Sequence, residues 1–257
     1  MGWKQQFIGF RTIVNKEIQR IFRIWQQTLM PTFITTALYF VVFGRVLGSR
    51  IHMIEGVDYL DFIAPGLVVL SIVTNSFVGS VSSLFGAKFG RHIEEVLVSP
   101  IHDMLVLLGY IVSGMVRGLV CGALVIVVEL FFTHIHTSSV FLSLVVALLA
   151  SFIFSTAGVI NAIYAKTFDD VNLIPSFVIT PLTFLGGVFY SVHSLTGIWY
   201  DISLINPISY IVTSFRHTYL GLPDDFFVPS LVILCVMLFV LFGVARYLFK
   251  HSVGLRH

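Results

Sequence analysis

FGAKFGRHIEEVLVSPIHD, residues 85–103, is a charged island between two long apolar runs, 60–84 and 104–132. Phe85, Phe89, Ile93 and Val96 with Leu97 recur at three- and four-residue spacing, while Lys88, Arg91, Glu94 and Glu95 fall elsewhere on the wheel. That pattern predicts a short surface helix. Ser99-Pro100 stops it, because the residue before proline is pushed out of the helical region of backbone space. If the flanking runs cross a membrane, this helix lies outside the bilayer with one face free. It is then either a docking element for a partner or a solvated loop that joins two spans.

Composition sets the class of its surroundings. Of 257 residues, 57% are hydrophobic and only 11% charged, and the mean hydropathy is +0.96. Such a chain is an integral membrane protein, and its length fits one membrane domain with no second globular unit. Two cysteines, Cys121 and Cys235, lie inside apolar runs and form neither a disulfide framework nor a metal pattern.

Six runs reach the roughly twenty residues that a hydrocarbon core requires: 29–47, 60–84, 104–132, 140–164, 173–192 and 228–249. The fold class expected is therefore all-α integral membrane with six transmembrane helices. Before them, residues 1–28 place Trp3, Phe7, Phe10, Val14, Ile18, Ile21 and Trp25 on one stripe, with Lys4, Arg11, Lys16, Arg20 and Arg23 off it. This is an amphipathic helix suited to the headgroup layer of an anionic membrane face, or to packing on protein; it has no signal-peptide architecture. Domain organisation follows as an interfacial helix over 1–28, a transmembrane domain over 29–249 and a tail over 250–257.

Lysine and arginine orient the spans. One side holds Lys4, Arg11, Lys16, Arg20, Arg23, Lys88, Arg91, Lys166, Arg246, Lys250 and Arg256, and the other Arg45, Arg50 and Arg216. Both termini and the 85–103 loop are thus expected in the cytoplasm. Between the fifth and sixth runs, residues 194–220 are too interrupted to cross and too apolar for an ordinary loop. Asn206-Pro207 divides them into two short helices that either dip into the outer leaflet or cap it.

Polar groups inside the runs are few. Arg117 stands near the middle of the third, where an unpaired cation costs about 2.5 to 3.5 kcal/mol or more, so it must face protein or water. Gly114, Gly118 and Gly122 form a small-residue stripe beside it for close helix approach. Glu129 lies about 18 Å further along the same helix, out of reach. Arg117 is either part of a structural ion pair or a pathway residue. Ser71, Asn75, Gly79 and Ser83 share one face of the second run, as packing groups or as a lining. The fifth run carries Pro175, Pro181, Gly186 and Gly187 and should be bent or broken, which marks either a pathway or a structural kink.

Enzyme signatures are missing. No phosphate-binding loop exists, since Lys166-Thr167 follows alanine. His92 and Glu95 do not form a zinc-protease motif, Asp169-Asp170 is an isolated acidic pair, and His134 with His136 makes only half a metal site.

Three blocks carry a family likeness: GAKFGRHIEEVLVSP (86–100), AKTFDDVNLIPSFVITPLTFLGGVFYSV (165–192) and INPISYIVTSFRH (205–217). With them the chain resembles, over essentially its whole length, the membrane permease subunits of type-2 ATP-binding-cassette (ABC-2 type) exporters of the YadH-like and nodulation type. The resemblance implies a homodimer of six-span subunits in the bacterial inner membrane, with separate ATPase subunits carrying ATP and magnesium, no cofactor on this chain and no nucleic-acid partner. It implies that 86–100 is the coupling helix, with Lys88, Arg91, Ile93, Glu94, Glu95, Leu97 and Pro100 at the ATPase. Residues 3–25 become the interfacial helix, and 194–220 become re-entrant helices capping the exit, around Asn206, Pro207 and Arg216. The cargo does not follow, because the family spans polysaccharides, glycolipids and drugs. A permease working inward and a membrane enzyme are the competing readings.

Overall fold

The computed structural model describes residues 3–44, 48, 53–133 and 137–251, without the side chains of Leu97 and His193. His134 and His136, Arg45 and Arg50, and residues 252–257 of the expected tail lie outside it. The described residues are helical almost throughout: α1 (Trp3–Arg23), α2 (Trp25–Val42), α3 (Tyr59–Phe89), α4 (His92–Val98), α5 (Asp103–Glu129), α6 (Val140–Tyr164), α7 (Phe168–Ile174), α8 (Thr180–Leu185), α9 (Ile198–Ile205), α10 (Pro207–Leu220) and α11 (Phe227–Lys250).

Among the described residues, four helices are long and apolar enough to cross a membrane: α3, α5, α6 and α11. Their bounds match the second, third, fourth and sixth expected spans to within a few residues. The first and fifth are not among them. α2 opens on Trp25-Gln26-Gln27 and carries four threonines, which dilute its apolar character. The 173–192 stretch breaks up: α7 gives way to a π turn over Pro175–Ile179, α8 follows, and Gly187 takes the left-handed φ of +76°. Pro175 removes a backbone donor, so the turn widens and Thr180 Oγ1 bonds the Pro175 carbonyl at 2.9 Å.

α3 is the axis of the bundle, packed against α5, α6 and α10. In its most apolar stretch 78% of residues are buried, against 11% in α11, which leaves most of α11 open to lipid or another chain. The glycine stripe of α5 explains the α3 contact. A Cβ on Gly114 would sit 2.7 Å from the Ser76 carbonyl and one on Gly118 2.8 Å from the Ile72 carbonyl, so only hydrogen lets these backbones approach.

One feature was not expected, and one expected alternative for the N-terminal helix, packing on protein, is seen. Met53–Ile54 and Val57–Asp58 (β1 and β2) form a small antiparallel hairpin turning on Glu55 and Gly56, both at positive φ. α1 does not merely lie alongside. It buries Glu17 and Ile21 against the bundle, with Ile13 beside Gly109 and Gly9 beside Ile101, while Trp3 and Phe7 of its apolar stripe, and Phe22 off it, stay exposed.

Candidate coupling and transport site

The 85–103 loop has a different start from the one expected. α3 runs on to Phe89, Gly90 closes it, and Arg91 turns the chain at φ 57° before α4 begins at His92. Phe85 and Lys88 therefore belong to α3. Phe85 and Phe89 pack edge-on against Phe168 at the start of α7. Lys88 is buried, and its ammonium donates to the carbonyls of Ile163 (2.9 Å) and Ala165 (2.7 Å) at the end of α6. It satisfies carbonyls that the helix end leaves unpaired, and it is not on a docking face.

α4 itself has two faces. Ile93 is 1% exposed and plugged into the core, whereas Arg91, Glu94, Glu95 and Val98 are exposed. Leu97 cannot be placed on either face. At the exit of α4, exposed Pro100 is clamped from α1: Gln6 donates its side-chain N–H to the Pro100 carbonyl and accepts from the His102 backbone N–H, each at 2.8 Å. α1 is thus tied to the loop at one end and to α3 at the other, where Ser83 donates to Glu17 at 2.5 Å and Arg20 pairs with Glu17 at 3.0 Å.

Deeper in the bundle, α2, α3 and α5 gather the polar residues of the apolar runs. Asn75 donates to the Ser71 carbonyl (3.1 Å) and approaches the Thr32 hydroxyl at 3.5 Å; that hydroxyl donates to the Thr28 carbonyl at 3.3 Å. Arg117 lies one turn before Cys121 and packs its alkyl chain over Gly79, one turn from Asn75. Glu129 does not meet Arg117. It is buried at the far end of α5, where it accepts from the Tyr219 hydroxyl at 3.0 Å.

At the same end, Asn206 caps α10 through the Ile208 N–H (3.0 Å), with Pro207 in the first turn, and reaches back to the Leu182 carbonyl at 2.6 Å. Arg216 is buried with its guanidinium 3.8 Å from the centre of the Phe62 ring, donating to the carbonyls of Phe62 (3.2 Å) and Gly187 (2.9 Å). The positive-φ turn after α8 therefore points its carbonyl at Arg216, which joins Gly186 and Gly187 to the helix pair. Of the Asp169-Asp170 pair, Asp170 completes a capping box with Thr167 at the start of α7. Asp170 accepts from the backbone N–H groups of Lys166 and Thr167, and these hold its carboxyl below the usual range.

A family model for ABC-2 type transporters matches residues 8–220. The chain belongs to that family. It is 44% identical over 251 residues, covering 97% of this chain and 98% of the relative, to "Inner membrane transport permease YadH" of Escherichia coli strain K12. It is also 23% identical over 214 residues, 83% of each chain, to "Nodulation protein J" of Rhizobium leguminosarum bv. viciae. A similar match, 24% over 187 residues, links it to "Nodulation protein J" of Rhizobium meliloti strain 1021.

Sequence reasoning missed Gln6, Glu17 and Thr32. Glu17 had a signal, since it falls on the same helical stripe as Phe10, Val14 and Ile21; an acid on an apolar face requires a buried partner.

Proposed function

We propose that this chain is the membrane-spanning subunit of an ATP-driven exporter in the bacterial inner membrane, working as a homodimer on two separate ATPase subunits. The observation that carries this reading is α4, anchored by buried Ile93 and presenting Arg91, Glu94 and Glu95 outward. A helix held rigidly on one side and charged on the other can pass a push from a partner into α3 and α5. ATP and magnesium belong to that partner, and this chain holds no cofactor.

In this reading the subunit crosses six times, with α2 and the broken α7 to α8 stretch added to the four long helices. α2 is 18 residues, about 27 Å, nearly the thickness of a hydrocarbon core. The eleven-to-three cation asymmetry puts both termini and α4 in the cytoplasm. α9 and α10 are the re-entrant pair at the outer side, supported by the buried polar contacts of Asn206 and Arg216. α1 is the interfacial helix, and the residues from 250 onward are the cytoplasmic tail. The name of the Escherichia coli relative supports the inner membrane and a transport role.

ATP binding closes the partner's dimer, moves α4 and shifts the spans between two arrangements. Only the difference in nucleotide affinity between those arrangements can drive the shift. Affinity purification of the chain from its own membranes should recover an ATP-hydrolysing subunit. Recovery of the chain alone, with no ATPase activity, would count against the proposal.

A further inference from the structure

At the end of α3 opposite α4, two cavities of about 260 and 290 Å³ lie side by side, and Val192, Thr213, Asp224 and Phe226 line both. The first is polar. Between the turn of the hairpin, α10 and the 221–226 loop it holds three carboxylates, Glu55, Asp224 and Asp225, against one guanidinium, Arg216. Arg216 is spent on the carbonyls of Phe62 and Gly187, with Glu55 in electrostatic range, and His217 donates to the Leu222 carbonyl. Negative charge is left over at Asp224 and Asp225. The second cavity, between α9, α10 and α11, is mostly apolar, walled by Tyr200, Leu204, Tyr210, Pro229 and Ile233.

Asp224 stands where they meet. Its Oδ1 accepts from the Phe226 backbone N–H at 2.9 Å, whereas Oδ2 is shielded from water and accepts from no donor among the described residues. A carboxylate oxygen held that way is costly until a donor reaches it. The side chain as a whole is only half-buried, so a ligand in either cavity can approach it. Among the described residues no three His, Cys, Asp or Glu side chains are grouped to hold a metal ion, so the cation that suits this wall is organic. An ammonium donates to Asp224 and lies beside the aromatic ring of Phe226, which attracts it further. The apolar cavity then takes the body that carries it. We propose that the joined cavities bind an amphiphilic amine, with its ammonium at Asp224 and Asp225 and its apolar body between Tyr210 and Ile233. Together the two volumes fall within the roughly 300 to 1,000 Å³ of drug-sized sites. The site stands independently of the transport reading.

The test uses the full chain in a neutral maltoside detergent at neutral pH, titrated calorimetrically with octylamine, octanol, ethylamine and calcium. Octylamine should bind about tenfold more tightly than octanol, which lacks the charge, and than ethylamine, which fills only the polar cavity. Asp224→Asn keeps an oxygen for the Phe226 N–H but removes the charge, and should weaken octylamine binding about tenfold. Phe226→Leu should lose a few-fold, and it decides the matter should Asp224→Asn fail to fold. Unchanged octylamine affinity in folded Asp224→Asn, or in Phe226→Leu where that variant decides, overturns the site, as does equal affinity for octanol. Ethylamine binding as tightly as octylamine removes the apolar cavity from the site and overturns the amphiphile. Calcium displacing octylamine at micromolar concentration assigns the carboxylates to a metal and overturns it too. Copurification of the ATPase is read separately, so a failed site leaves the transport reading standing.

Discussion

Lys88, in the last turn of α3, donates 2.7 Å to the carbonyl of Ala165, the residue that ends α6. Two long helices are thereby tied at one end of the bundle, beneath the turn from which α4 departs. A charged hydrogen bond of this kind is worth about 1.5 to 3 kcal/mol. Lys88→Ala should lower the thermal unfolding temperature in detergent, whereas Lys88→Arg should restore part of it. Unchanged unfolding combined with loss of the ATPase would put Lys88 on the docking face after all.

The buried carboxylate of α1 gives a second expectation. Glu17→Ala removes the partner of Ser83 and Arg20 and leaves a cavity under the helix. Trypsin should then cut at Arg20 and Arg23 several-fold faster, while α3 and α5 stay resistant. Digestion at the wild-type rate would show that α1 is held by its apolar contacts alone.

Close approach at the glycine stripe is the third. Gly118→Leu forces a side chain into the backbone of α3 near Ile72, where overpacking costs typically 1 to 3 kcal/mol and more against backbone. Folded yield should fall sharply. Gly243, which has open space around it, should accept leucine with little change. Similar yields for the two variants would contradict the packing.

How far the fold was legible can be judged from these residues. The four long helices were readable because twenty or more apolar residues in a row leave the backbone no option but internal hydrogen bonding. The fifth run was readable as broken from Pro175, Pro181 and Gly187. Lys88 was misplaced because its partners, the last carbonyls of α6, are 75 and 77 residues away and invisible to periodicity. The start of α4 was misread because FGAKF continues an apolar pattern through Gly90, and a positive φ at Arg91 has no signature in a non-glycine residue. The hairpin at 53–58 has strands of two residues, too short for any alternation to register. In the site, Glu94, Glu95 and Ile93 were legible from the wheel, while the packing of Arg117 over Gly79 of α3 depended on a tertiary contact.

Orientation gives the fourth prediction, and it follows from the distribution of cations. In a background lacking Cys121 and Cys235, a cysteine at Ser99 should react with membrane-permeant but not impermeant maleimide in intact cells. One at Thr137 should react with both. Labelling of Ser99 from outside would reverse the topology and remove α4 from any cytoplasmic partner.

The central claim, that α4 receives the ATPase, is tested most directly by reversing its exposed charge. Single exposed ion pairs contribute about 0 to 1 kcal/mol, so Glu94→Ala should weaken the complex only slightly. Like charges facing each other at a desolvated contact cost several kcal/mol. Because Ile93 stays seated, the double variant Glu94→Lys with Glu95→Lys should fold and insert normally. Copurification of the ATPase with this double variant is the measurement: the account predicts that it is abolished, and retention of the ATPase at the wild-type ratio would contradict it.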